Sequence, residues 1–286
     1  MHTSNLSNPP FDSATHLQEW QNEKQIHGLL AHMPLSADLA CKACTEASEI
    51  PGYTVKLMGP DAASDCPKVT ALFEKTFIER EPLSHALATS GAVSRDVFLE
   101  FCRHISEATF ATGMMSIATI GDGSVIGFVM AAPLNVKTFP TPTPPGLEPM
   151  YDIVDILDAS LHEYQRNDPS MAPSKVVEIT MGGVCRNFEG VHVAADLTWV
   201  LLVDAYLRGF RTVVVKASSR SQIAFQAAGF VTLAEVPYKD YQYAGSKPFS
   251  RIESPPSVKL MKVDLETHLK STPDPRLRRL LAMKRN

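Results

Sequence analysis

The sequence predicts an α/β (α+β) fold, a mixed sheet with helices packed on it, and three observations predict it. The first is the stretch from Val176 to Phe230. An apolar, β-branched run (Val176 to Val184) leads into a loop (Cys185 to Val191), then into a long apolar helix from His192 to about Arg208, stopped by Gly209. A second β-branched run, Thr212 to Lys216, precedes a short helix ending at Gly229. Strand, helix and strand in that order read as a parallel pair joined by a helical crossover. The second is a pair of apolar runs, Met115 to Ile120 and Val125 to Ala131, joined by Gly121-Asp122-Gly123-Ser124, which reads as an antiparallel hairpin. The third is a pair of segments whose apolar residues recur at helical spacing, Asp61 to Phe77 and Ser94 to Ala111.

The remaining elements follow in chain order. Met1 to Pro10 is polar and reads as disordered, and Ser13 to about Ala31 as a loosely amphipathic helix with Ser13 as its N-cap. Residues 1–50 are therefore expected to be an extension. After the Pro51-Gly52 turn signal, Tyr53 to Met58 alternates as a first strand. The Asp61–Phe77 helix carries Val69, Leu72, Phe73 and Phe77 on one face, and Pro82 ends it with Glu81 on a bend. In the second helix Ser94 is the N-cap and Phe98, Phe101, Cys102, Ile105 and Ala108 make the stripe. The proline-rich stretch Thr138 to Pro149 reads as a surface loop, and Tyr151 to about Tyr164 as a helix. Val231 to Val236 and Val258 to Leu265 are the last predicted strands. The folded domain is expected over 51–266, with a basic tail over 267–286 whose PRLRRLLAMKRN end reads as a solvated helix end.

Composition bounds the function classes. The 286 residues are 44% apolar, enough for a sizeable core, and the net charge of −4 gives no reason to expect nucleic acid as a partner. Five scattered cysteines fit reduced thiols better than a disulfide framework. Cys41-x-x-Cys44 lacks a second pair or a histidine set and reads as two small residues in an alanine-rich segment, so no metal is expected. No apolar run reaches the roughly 18 residues of a membrane span, and the N-terminus carries no targeting pattern. The expectation is a soluble, cytoplasmic protein with no membrane partner. Its oligomeric state is left open.

Certain residues carry a resemblance. Val184-Cys-Arg-Asn-Phe-Glu-Gly-Val-His-Val-Ala-Ala-Asp-Leu197 resembles the acetyl-CoA motif of the GNAT N-acetyltransferase superfamily. Glu81-Pro82-Leu83, Ser221 ahead of Gly229-Phe230, and Pro237-Tyr-Lys-Asp-Tyr241 resemble elements of the insect-type arylalkylamine (dopamine) N-acetyltransferases. The resemblance covers about Gly52 to Leu265. It implies a mixed, twisted sheet splayed between two central strands, with acetyl-CoA in the splay. It implies cofactor contacts from Met181, Gly182, Gly183, Val184, Glu189, Gly190, Val191, His192, Val193, Ala194 and Ser218. Phosphate would sit at the start of the long helix, where free N–H groups and the helix dipole favour an anion. Gly182-Gly183 reads either as permitting a bulge or a close approach, a bulge freeing backbone groups for the pantetheine arm, or as a turn pair that ends the strand.

The same comparison implies the chemistry. Acetyl transfer to an amine needs a base, which the resemblance assigns to Glu81, and a polarised thioester carbonyl, assigned to backbone N–H near Val184. Ser221 is the second catalytic candidate, for proton traffic, and reads equally as a helix N-cap. His85 and His104 lie near the substrate-side helices. Phe77, Leu83, Phe98 and Tyr238 read either as pocket lining or as core. Two cofactor-loop positions depart from the motif: Glu189 stands in place of arginine and His192 in place of its second glycine. Glu189, with Asp196 one turn into the helix, adds negative charge near a phosphate, and His192 adds bulk. Phe225 stands where many members have the tyrosine that protonates the leaving thiolate. The expectation is an acetyl-CoA-dependent N-acetyltransferase acting on a small-molecule amine, arylalkylamine-like or polyamine-like. The alternatives are a GNAT-fold binding or interaction protein with impaired catalysis, and a protein N-acetyltransferase.

Overall fold

The computed structural model describes residues 52–190, 192–254 and 256–271. The expected N-terminal extension with its helix, Cys41-x-x-Cys44, Val191 and the basic end of the chain lie outside them.

Strand β1 (Thr54–Leu57) is followed by a 3-10 segment, Pro60–Asp65, and helix α1 (Cys66–Arg80). The expected helix start at Asp61 is thus a 3-10 turn. Pro67 lacks an N–H, which suits the first turn of an α-helix and no later position. Helix α2 (Pro82–Thr89) is an element that the sequence reading does not contain, since eight residues are too few to show a period. Then come α3 (Arg95–Thr112), capped by the Ser94 hydroxyl as expected, β2 (Met115–Thr119) and β3 (Val125–Pro133). The turn between these strands closes as predicted, with Gly123 N–H donating to the Ile120 carbonyl at 2.9 Å.

The proline-rich stretch is irregular, but it is more than a surface loop. Leu147 is fully buried, and Phe139 packs at 6.2 Å from Phe101 and 5.7 Å from Tyr151. Helix α4 (Glu148–Asn167) is longer at both ends than the sequence suggests. The central unit follows closely as read: β4 (Val176–Val184), α5 (Val193–Leu207), β5 (Thr212–Ala217) and α6 (Ser219–Ala227). Strands β6 (Val231–Pro237) and β7 (Ser257–Asp264) lead to α7 (Leu265–Ser271), whose Leu265 and Leu269 are buried.

Among the described residues the strands form one seven-stranded sheet, ordered β1-β2-β3-β4-β5-β7-β6. Only β4 and β5 pair in parallel. One face packs against α1, α3 and α4 through Phe73, Phe101, Phe128, Met130 and Leu157. The other packs against α5 and α7 through Val129, Val177, Leu197, Leu201 and Leu269. Helix α5 is buried on nearly every side, which explains why it reads as apolar all round. Burial of this kind contributes roughly 25 cal/mol per Å² of apolar surface, and it dominates the stability of both layers.

A buried ion cluster crosses the first layer. Lys216 of β5 lies 2.8 Å from Asp158 of α4 and 2.5 Å from Glu178 of β4. Burial alone would lower the Lys216 ammonium, but the fields and hydrogen bonds of Glu178 and Asp158 outweigh it and hold the group above its ordinary value.

Candidate active site

Strands β4 and β5 pair only from Val176 opposite Thr212 to Ile179 opposite Val215. Beyond Ile179, β4 stays paired to β3 through Val184 while β5 diverges, leaving a wedge between the two central strands. The extra residue of a bulge lies at Thr180, because Met130 pairs with Met181 and Ala131 with Ile179. Both glycines are regularly paired, to Val129 and Phe128, so neither is the bulge nor a strand end. At Gly183 the expected close approach is found. A Cβ there would lie 2.9 Å from Phe128 Cε1 and 2.9 Å from Thr76 Cγ2, so α1 packs directly on the strand.

The register sorts the backbone groups. Cys185 N–H donates to the Ile126 carbonyl at 2.7 Å, on the β3 side. Alternate residues of an antiparallel strand turn their N–H and C=O the other way. Gly183 and Met181 therefore bond within the sheet, whereas Gly182 and Val184 direct their backbone groups into the wedge. Met181 also buries its side chain in the first core. Of the four expected strand contacts, Gly182 and Val184 are the two with backbone groups facing the wedge.

The loop after β4 makes a 3-10 turn, Arg186–Phe188, and ends at the start of α5. His192 is the residue before the helix and sits at φ 67°, ψ 1°, the left-handed region. The position thus has a backbone that glycine adopts freely, at a cost of about 1–2 kcal/mol for a residue with a Cβ. Its side chain is exposed and makes no cap. The first-turn N–H groups of Val193 and Ala194 have no partner within the helix, as in any α-helix. Val193 is buried against β3, where a Cβ on Gly127 would lie 2.9 Å from its Cγ1.

The charge expected from Glu189 and Asp196 is met by partners. Arg80, at the end of α1, forms an ion pair with Glu189 and also donates to the Val184 carbonyl at the mouth of the wedge. Asp196 accepts from the Tyr53 hydroxyl at 2.6 Å. Burial, the bond to Asp196 and its charge push the Tyr53 phenol well above its ordinary value, so it remains a donor. Arg80 went unnoticed in the sequence because no spacing connects it to Glu189 across more than one hundred residues.

Glu81 follows Arg80 and lies on the expected bend, at φ −74°, ψ 122°. Its carboxylate caps α2, accepting from Leu83 N–H at 3.3 Å and Ser84 N–H at 2.7 Å. The cap fixes the carboxylate beside the residue that bridges to β4. Phe77, Leu83, Phe98 and Tyr238 all lie in the first core. His85 and Arg80 line a surface cleft of about 500 Å³ together with Arg186, and His85 Nδ1 lies 2.8 Å from the Ile78 carbonyl. His104 lines a different cleft, with Asp96, Glu100 and Pro140.

Beyond β5, Ser218 precedes α6 and makes no side-chain cap. Ser221 lies inside the first turn, so it is not the N-cap, and its hydroxyl donates to the Ser218 carbonyl at 3.0 Å. Gln222 beside it is buried and ties α6 to the sheet, donating to the Ala217 carbonyl at 3.1 Å and the Ser257 carbonyl at 2.6 Å. Phe225 packs edge-on to Phe230 at 5.0 Å and carries no proton to give.

No protein-family model and no curated protein matches this chain. Solved structures do. A protein described as arylalkylamine N-acetyltransferase 7 from the yellow fever mosquito Aedes aegypti superposes with a TM-score of 0.61 at 13% identity, over 74% of this chain and 87% of its own. The C-terminal condensation domain of Ebony, solved with β-alanyl-dopamine, gives 0.59 at 13%, over 74% and 98%. Arylalkylamine N-acetyltransferase 2 from Aedes aegypti gives 0.55 at 18%, over 74% and 99%. Sheet order, the wedge between β4 and β5 and these neighbours together establish that the chain has the GNAT acyltransferase fold.

Proposed function

We propose that the chain is an N-acetyltransferase that takes acetyl-CoA as co-substrate and a small-molecule amine, arylalkylamine-like or polyamine-like, as acceptor. The observation that carries this reading is the Arg80 bridge. By bonding Val184 at the mouth of the wedge, it ties the end of α1, one residue before Glu81, to the backbone proposed to receive a thioester. Acetyl-CoA would supply an acetyl group already activated as a thioester. Gly182 and Val184 offer backbone groups to its pantetheine arm, and Gly190, Val193 and Ala194 offer N–H groups to its phosphates. In the transfer, the amine nitrogen bonds to the carbonyl carbon and the C–S bond breaks. The amine's proton goes to Glu81, directly or through water, and the thiolate leaves and is protonated. Ser221, at the start of α6 across the wedge, is the group proposed for that second proton transfer. The compartment proposed for this activity is the cytoplasm.

Glu189 and His192 favour a second reading, a GNAT-fold protein whose phosphate loop no longer holds a nucleotide. Calorimetric titration with acetyl-CoA, followed by thiol release over a panel containing tyramine, tryptamine and agmatine, separates the two. Binding with turnover supports the first, and no binding at millimolar acetyl-CoA favours the second.

A further inference from the structure

The surface cleft beside Arg80 carries charges that the acetyl-transfer chemistry leaves unused. It measures about 500 Å³, within the range of small-molecule sites, and three elements line it. The end of α1 contributes Glu79 and Arg80, α2 contributes His85 and Thr89, and the 3-10 turn after β4 contributes Arg186. Arg80 ties the cleft to the wedge, since its Nη2 donates to the Val184 carbonyl at 2.5 Å. Arg186 stands two residues beyond Val184, so its Cα is at most about 7 Å from that of Val184. The charge of Arg80 is met by Glu189. Arg186 is exposed and forms no ion pair among the described residues, and the same holds for Glu79. A dication such as agmatine therefore meets two guanidiniums and one carboxylate in the cleft. A zwitterion meets a cation for its anion.

We propose that the cleft is the acceptor subsite for a carboxylate, held by the Arg186 guanidinium, so that the preferred acceptors are amines that also carry a carboxylate, amino acids among them. The inference rests on the acetyltransferase reading. A guanidinium presents its N–H donors as a planar fork that matches the two oxygens of a carboxylate, and such charge-assisted bonds are the strong ones. Helices α1 and α2 pack on the sheet face opposite to α5, whose first-turn N–H groups are the ones proposed for the phosphates of acetyl-CoA. An anion in the cleft is thereby assigned to the acceptor, approaching from the other face. The carboxylate is unchanged in the transfer. The amine nitrogen bonds to the carbonyl carbon, the C–S bond breaks, and the amine's proton goes to Glu81, as for any amine.

The test measures kcat/KM of the full-length wild type, Arg186→Ala, Arg186→Lys and Arg103→Ala with acceptors paired to differ only in a carboxylate. The pairs are tyrosine with tyramine, arginine with agmatine, and γ-aminobutyrate with propylamine. Wild type is expected to favour the carboxylated member of at least one pair by about tenfold or more, the worth of a charge-assisted hydrogen bond. Arg186→Ala is expected to lose most of that ratio and Arg186→Lys to keep part of it. Arg103→Ala removes the same charge from the exposed face of α3 and is expected to keep the ratio. A second arm compares acetyl-CoA with acetyl-dephospho-CoA as donors. If Arg186→Ala raises the KM of acetyl-CoA alone and leaves the acceptor ratio unchanged, the cation belongs to the donor's 3′-phosphate and this inference is overturned. A wild type that acetylates amines without favouring any carboxylated member also overturns it and leaves the acetyltransferase reading intact. A wild type that acetylates no acceptor overturns both.

Discussion

Arg80 and Glu189 form an ion pair across the mouth of the wedge, joining the end of α1 to the loop that precedes α5. Glu189 stands where the motif that this stretch resembles has an arginine, and the cation beside it comes from another element. Side-chain exposures of 15% for Arg80 and 44% for Glu189 limit the pair's own worth to less than about 1 kcal/mol of stability. Its effect on an anionic ligand is larger. On the proposed reading, Arg80→Ala removes the cation that faces Glu189 and is expected to weaken acetyl-CoA binding about tenfold. Glu189→Ala removes the anion that faces Arg80 and is expected to tighten it severalfold. Calorimetric dissociation constants at two salt concentrations check both, and the differences should shrink as salt rises.

His192 keeps a left-handed backbone that glycine adopts without strain. His192→Gly removes a penalty of about 1–2 kcal/mol and adds some unfolded-state entropy, for a net gain of about 1 kcal/mol. Thermal denaturation should show a rise of about 2–4 °C. A fall would mean that the imidazole makes a contact worth more than the strain.

Lys216 faces two carboxylates in a buried setting. Lys216→Met strands Glu178 and Asp158 and is expected to cost about 3 kcal/mol, read from urea unfolding. The pH dependence has a definite sign. The folded-state value of Lys216 is raised, so its contribution is complete below its unfolded value of about 10.4 and is lost as pH rises through the folded value. The gap between wild type and Lys216→Met should therefore be constant from pH 7 to 9 and narrow at higher pH.

Glu81 has two roles that substitutions can separate. Glu81→Gln keeps an oxygen to cap α2 but cannot accept a proton, so kcat is expected to fall about 10²–10⁴-fold with little change in stability. Glu81→Ala loses the cap as well and is expected to cost a further ~1 kcal/mol of stability. Paired activity and unfolding measurements on the two variants check the separation.

These residues also show what the sequence could disclose. The central unit was legible because its signals are local: β-branched runs, an apolar crossover helix and Gly209 at its end. The bend at Glu81 was legible from Pro82 alone. The α2 helix was hidden by its shortness and the burial of Leu147 by the prolines around it. The pairing of Arg80 with Glu189, of Tyr53 with Asp196 and of Lys216 with Asp158 was hidden for a common reason. Each joins residues on different elements that only the folded sheet brings together. The sequence presented Glu189 and Asp196 as uncompensated charges. The fold supplies each with a donor, and the objection to an anion at this loop is correspondingly weaker.

The central claim is that the wedge and the Arg80-supported loop hold acetyl-CoA for transfer to an amine under Glu81. The most direct measurement is acetyl-CoA-dependent thiol release by the full chain with primary amines, run beside Glu81→Gln. The account predicts saturable release with at least one arylalkylamine or polyamine, lowered at least about a hundredfold in Glu81→Gln while acetyl-CoA still binds. Absence of acetyl-CoA binding at millimolar concentration, or equal release by both proteins, would contradict it.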